Sequence, residues 1–190
     1  MRNKKSILNI IFDYSFNFFL IPLLLIMISL VIPSCDGFNW YHSINIDSCH
    51  QKDIAILNSF IDNSNKTINQ DLDVNYNGSI DPLELGWQLW EDGRLIHLIC
   101  SDVPSPYYID NLYCNLSGQI PNNIGDLDML IKLHIDSNLL DGSIPESICK
   151  MPDILFDRYW LRLSDNKLCP PYPECINKIV GSQVLDECHK

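Results

Sequence analysis

Two deficits in this 190-residue chain exclude a good deal before any motif is read. Positive charge is scarce: 13 Lys and Arg stand against 24 Asp and Glu, a formal net charge of -11. Residues 1–35 hold three of the bases (Arg2, Lys4, Lys5) and one acid (Asp13), so residues 36–190 keep 10 basic against 23 acidic side chains. A surface of that sign repels phosphate backbones and anionic headgroups, which excludes nucleic acid as a partner and leaves membrane contact to a covalent anchor. A long hydrophobic run is also missing. The apolar stretch from Phe18 to Ile32 is broken by Pro22 and Ser29 and falls short of the roughly 20 residues that cross a bilayer as a helix. No phosphate-binding loop or nucleophile motif is present, and His42, His50, His97, His134 and His189 are scattered. Zinc is disfavoured, because the spacing of Cys169, Cys175 and Cys188–His189 fits no usual ligand pattern. These absences speak against an enzyme, with a secreted hydrolase as the remote alternative.

What is present begins with eight cysteines, a density that points to an oxidising compartment. The basic start, apolar middle and small residue near the end of residues 1–35 match a secretory signal. Ile32-Pro33-Ser34-Cys35 resembles a bacterial lipoprotein cleavage box, from which it departs at Pro33. That resemblance implies acylation of Cys35. Ordinary cleavage near Ser34, with Cys35 free or bridged, and an uncleaved signal anchor are the alternatives. All three readings place the rest of the chain outside the cytoplasm, secreted or at the cell surface.

Self-similarity organises the second half. Leu116-Ser-Gly118-Gln-Ile120-Pro121-Asn-Asn-Ile124 and Leu140-Asp-Gly142-Ser-Ile144-Pro145-Glu-Ser-Ile148 match position by position. Upstream, Ile109, Asn111 and Cys114 fall in register with Leu133, Ile135 and Asn138, and a partial third copy runs from Leu161 through Leu163 and Asn166 to Leu168. These strings resemble the leucine-rich repeat family, in its 24-residue class with the signature L-x-x-L-x-L-x-x-N-x-L-x-G-x-I-P. The resemblance implies an α/β fold: a short leucine-rich-repeat solenoid of about three coils, with a helical N-terminal cap and a disulfide-rich C-terminal cap. Leu130, Leu133, Ile135, Leu140, Ile144 and Ile148 would fill one layer of its core. Asn138 and Asn166 would bond backbone groups from coil to coil, and Cys114, at an asparagine position, would be a buried free thiol, with a bridge as the alternative.

Residues 36–93 read as the N-terminal cap. Ile54, Leu57 and Ile61 share one face of a helix over Asp53–Ile61, with Asp53 as a plausible N-cap. Asp73-Val-Asn75-Tyr-Asn77-Gly78-Ser79-Ile80-Asp81-Pro-Leu-Glu84 resembles an EF-hand loop, from which it departs in having only three carboxylates and an internal Pro82. The resemblance implies Ca2+ held by Asp73, Asn75, Asn77, the Ser79 carbonyl, Asp81 and Glu84. With no second loop in the chain, this is a structural site rather than a paired sensor. Leu83 to Trp90 would follow as a short helix covering the open end of the repeat core. Gly93 to Ile99 reads as a strand, and either 95–99 or 109–112 could supply the first coil.

The organisation expected is therefore a signal or lipoprotein signal (1–35), a cap with the loop 73–84 (36–93), repeats (94–168) and a C-terminal cap (169–190). Six cysteines remain for bridges, with Cys49 to Cys100 and a cluster sealing the far end the favoured arrangement. The functional expectation is a non-catalytic, monomeric module that binds a protein or peptide partner through the strand side chains of one shared face: Lys132, His134, Asp136 and Ser137 in the middle coil, and Trp160, Arg162, Ser164 and Asp165 in the last. Tyr108, Asp110, Leu112 and Tyr113 would extend it. The alternative makes calcium the main business and the repeats its scaffold.

Overall fold

The computed structural model describes Cys35, Gly37–Phe38, residues 49–101, 113–152 and 156–186, and Cys188. Residues 1–34 of the expected signal segment lie outside these, as do Ile109 and Asn111 of the repeat register and Tyr108, Asp110 and Leu112 of the expected face. The described residues belong to one compact unit, Cys35–Lys190. They form a mixed α/β structure of one helix and two sheets containing parallel strands.

The helix, α1 (Gln51–Asn63), buries Ile54, Ile56, Leu57 and Phe60 along one face, the spacing that makes a helix amphipathic. Asp53 is not its cap. His50 holds that position, and Asp53, fully buried at the third helical residue, points into the protein. There Arg94 meets it through Nε to Oδ2 at 2.9 Å and Nη2 to Oδ1 at 3.0 Å, and the Leu95 N–H donates to Oδ2 at 3.0 Å. Arg94 also reaches the Asp128 carboxylate, so one guanidinium joins the helix, a strand and the turn after residue 124.

The strands are β1 (Gly37–Phe38), β2 (Trp87–Glu91), β3 (Arg94–Ile99), β4 (Ser117–Gln119), β5 (Lys132–His134), β6 (Leu139–Ser143), β7 (Leu161–Arg162) and β8 (Lys167–Cys169). One sheet runs β1-β2-β3-β5-β7 and the other β4-β6-β8. The helix expected over Leu83–Trp90 is replaced by a 3-10 turn at Pro82–Glu84 followed by β2. Aromatic residues favour the pleated surface, and Gly86, at φ +63°, ends the turn; a Cβ there would lie 2.4 Å from the Ile99 carbonyl oxygen. β2 pairs antiparallel with β3 through Asp92 and Gly93, both at positive φ, the chemistry of a tight two-residue hairpin.

β3, β5 and β7 are parallel, with Leu98 opposite Leu133 and Leu133 opposite Leu161. The first of these strands is thus 94–99. In the second sheet Gly118 faces Leu140 and Gly142 faces Leu168, two residues away from the pairing that the sequence repeat would give. A slip of two keeps every side chain on its own side of a strand, so the stagger preserves the buried face. Leu130, Leu133, Ile135, Leu140 and Ile148 are fully buried and Ile144 nearly so.

Candidate functional site

Three constellations carry the polar chemistry. The first is a set of backbone-binding amides between the sheets. The Asn138 Nδ2 donates to the carbonyls of Cys100 (2.6 Å), Ile135 and Asp136, while its Oδ1 accepts from the Leu116 N–H at 2.8 Å. Asn166 repeats the pattern: its Nδ2 donates to Ile135, Leu163 and Ser164, and its Oδ1 accepts from the Leu140 N–H. The sequence reading stopped there, but the structure continues. Gln183 Nε2 donates to Leu163 and Val180, its Oε1 accepts from the Leu168 N–H, and Gln183 forms a parallel bridge with Asn166. The signal for it is Val180-x-x-Gln183-x-Leu185, the repeat pattern with glutamine for asparagine.

The disulfides correct several cysteine expectations. Cys35 bonds Cys49 and Cys100 bonds Cys114. A sulfur in a disulfide carries no thioether, so in this structure Cys35 is not acylated. Cys114 is not a free thiol, and Cys49 does not pair with Cys100. At the other end Cys149–Cys175 and Cys169–Cys188 join the four cysteines that cluster around and beyond the last strands.

The second constellation is the loop at 73–84, where all six expected ligand residues meet in one hydrogen-bonded turn. The two Asp73 carboxylate oxygens accept from the N–H groups of Asn77 (3.1 Å) and Gly78 (2.8 Å). Glu84 accepts from the N–H groups of Asn75 and Asp81. The Asn75 and Asn77 side-chain amides both donate to Asp81 Oδ2, and Asn77 Oδ1 accepts from the Ser79 N–H and hydroxyl. Gly78 takes φ +88° with nothing crowding it, as the sharp turn requires. No group of three or more His, Cys, Asp or Glu side chains is gathered closely enough to hold a metal ion among the described residues.

The third lies on β3, β5 and β7. Lys132 Nζ sits 5.2 Å from the Trp160 ring centroid and 5.7 Å from that of Tyr159, and those two rings meet edge to face at 4.9 Å. His134 and Asp136, expected on the exposed face, are buried at 7% and 5% exposure. His134 lies beneath the Tyr159–Trp160 segment, with Nε2 3.0 Å from the Tyr159 carbonyl. A carbonyl only accepts, so the proton is on Nε2. Trp160, Arg162 and Ser164 are half-buried and Tyr159 is exposed. His97, which sequence reasoning left out of the face, stacks on Trp87 with centroids 5.9 Å apart. Its Nδ1, Ser101 Oγ and Asp136 Oδ1 are buried without a hydrogen-bond partner. The Ser101 hydroxyl and Asp136 carboxylate are neighbours that interact electrostatically without closing a bond.

These environments move the titrations. Burial first, then Lys132, pushes His97 down to about 4. Burial, chiefly, pushes His134 down to about 4 against the opposing hydrogen bond to Tyr159. Burial lifts the Asp136 carboxyl despite its own backbone N–H and Arg162. Both histidines are therefore neutral in the fold while an unfolded chain protonates them near their ordinary value of 6.5. The unfolded state binds more protons between pH 6.5 and 4, so stability is full above that window and falls as pH drops through it. Asp136 works in the opposite sense, its raised value favouring the fold on acidification. Two groups against one set the direction. Melting followed by circular dichroism should show a lower Tm at pH 4.5 than at pH 7, with a smaller drop in the His97→Gln/His134→Gln variant. Equal drops in both proteins would remove the histidines as the cause.

Comparison with known proteins returned no matching family model, no matching curated protein and no matching solved structure.

Proposed function

We propose that this chain is a non-catalytic, extracytoplasmic leucine-rich repeat protein that binds a protein or peptide partner through the face of β3, β5 and β7, stiffened by a structural Ca2+ at residues 73–84. Support for a repeat solenoid comes from the parallel strands and from the matching environments of Asn138, Asn166 and Gln183. Four disulfides are consistent with an oxidising, extracytoplasmic setting.

The observation that carries the binding function is the joint presence of Trp160, Tyr159, Lys132 and Arg162 on one strand face. Trp, Tyr and Arg dominate the energetics of protein interfaces. The test is a screen of the exported protein against a displayed panel of secreted and surface proteins. A partner recovered in this way should lose on the order of 30-fold in affinity to Trp160→Ala with Arg162→Ala, about 2 kcal/mol. Unchanged affinity with an intact melting curve would move the site off this face.

The loop fits Ca2+ by its donor set: hard oxygens of three carboxylates, two amides and a carbonyl along a single turn. Asp73 is already oriented by two backbone N–H groups. The Asn75 and Asn77 amides that now donate to Asp81 would turn to offer their Oδ1 atoms as ligands. Calcium at ten times its Kd should add about 1.4 kcal/mol and raise Tm by about 3–6 °C. Glu84→Gln should abolish that rise. An unmoved Tm at millimolar calcium, with no heat of binding on titration, would remove the site.

A further inference from the structure

The strand face carries an unusual charge arrangement for so acidic a chain. With 24 carboxylates available against 13 bases, neither Lys132 nor Arg162 makes an ion pair among the described residues, while Arg94 has two. The two cations stand close enough that Arg162 lowers the Lys132 pKa, after burial. Lys132 is held instead over the rings of Trp160 and Tyr159, which fixes a charge without neutralising it. Asp136, buried below the face, interacts electrostatically with Arg162 but closes no ion pair with it, and the Asp165 carboxylate accepts from the Ser182 hydroxyl at 2.8 Å. Two half-buried cations that close no ion pair among the described residues, beside an exposed aromatic edge, form a receptor for a negative group with an apolar neighbour.

The net charge narrows the choice among anions. Charges further apart than a Debye length, about 8 Å at physiological salt, are largely screened. A short acidic segment laid on this patch feels Lys132 and Arg162 first. A nucleic acid or anionic membrane is long enough to meet the acidic surface around it. Resting on the binding reading of this face given above, we infer that the occupant is an acidic peptide segment of a protein partner. Its Asp or Glu carboxylate would pair with Lys132 and Arg162, and an adjoining apolar or aromatic side chain would pack on Trp160 and Tyr159.

The experiment is selection of a displayed random-peptide library on the intact exported protein, followed by titration of synthetic peptides and of phosphatidylserine vesicles. Selected peptides should be enriched in Asp and Glu next to aromatic residues. The Lys132→Glu/Arg162→Glu variant should weaken them at least tenfold, and Lys52→Glu/Lys66→Glu, the same charge change on exposed residues elsewhere, by less than threefold. Melting curves establish that both variants fold. Peptides lost in Trp160→Ala but showing no acidic preference would overturn this inference and leave the face as a binding site. Peptides indifferent to Trp160→Ala would overturn both. Vesicle binding that depends on Lys132 and Arg162 would replace the peptide with a lipid headgroup, and failure of every acidic peptide at millimolar concentration would also overturn the inference.

Discussion

Asn138→Ala is expected to lower the unfolding free energy by about 3 kcal/mol, a large share of a typical domain's about 5–15 kcal/mol. The side chain is buried at 8% exposure and serves four backbone groups at once. Its removal strands the Leu116 N–H and the carbonyls of Cys100 and Asp136, while the Ile135 carbonyl keeps Asn166, and each buried group left unpaired costs about 1–3 kcal/mol. Partial relaxation and shared donors keep the total below the simple product. Asn138→Asp separates the roles: it keeps an acceptor for Leu116 but turns a carboxylate towards three carbonyl oxygens, so it should be no more stable than the alanine variant. Urea denaturation followed by tryptophan fluorescence reads both. A loss under about 1 kcal/mol would mean that the amide is ornamental to the fold.

The second large effect is expected at Arg94. Arg94→Leu should cost about 3–5 kcal/mol, the range for removing one member of a buried ion pair. Asp53 is fully buried, and without Arg94 its carboxylate keeps the Leu95 N–H and a 3.5 Å approach from His50 Nδ1. The cost is an uncompensated charge rather than a lost contact, so neutralising the charge should recover much of it. Arg94→Leu/Asp53→Asn is accordingly expected to be more stable than Arg94→Leu alone. If the double variant is instead the less stable, packing of the guanidinium stem against α1 and the turn at Asp128 is what matters.

Much of the second half was legible because repetition ties residues far apart in the chain to one environment. Leu133, Leu140, Ile148 and their equivalents could be assigned to the core without knowing what they touch, and they are buried. Asn138 and Asn166 could be assigned a backbone-binding role for the same reason. Gln183 escaped because its segment follows at 17 residues instead of 24 or 28 and carries glutamine where the pattern has asparagine. The strand at Trp87–Glu91 was misread as a helix although Asp92-Gly93 marks a hairpin. Leu83, Leu85, Trp87 and Leu89 alternate with the period of a strand, and Asp92-Gly93 supplies the turn that decides between the two periods. Disulfide partners were out of reach in principle, since eight cysteines allow about 105 pairings and the choice is made by three-dimensional proximity. Cys114 shows the consequence: its repeat position suggested an amide substitute, yet it bonds Cys100. The proposed binding face was half legible. Alternation identified which side chains lie on it, but only the neighbouring Tyr159–Trp160 segment decides that His134 is covered.

The Gln183 rung bears on how the stack stops. A parallel sheet whose last strand bonds nothing offers open backbone groups to any chain that arrives, including its own copies. Here four groups between residues 163 and 168 are occupied: the Asp165 N–H donates to the Ser182 carbonyl, the Asn166 carbonyl accepts from the Val184 N–H, and Gln183 takes the Leu163 carbonyl and the Leu168 N–H. At the opposite end the polarity of the strands reverses at the β2–β3 hairpin, and the edge beyond is a strand of two residues. On the repeat reading proposed above, two different terminators would set the length of the stack, and lengthening it in evolution or by design would mean inserting coils between them rather than adding coils outside.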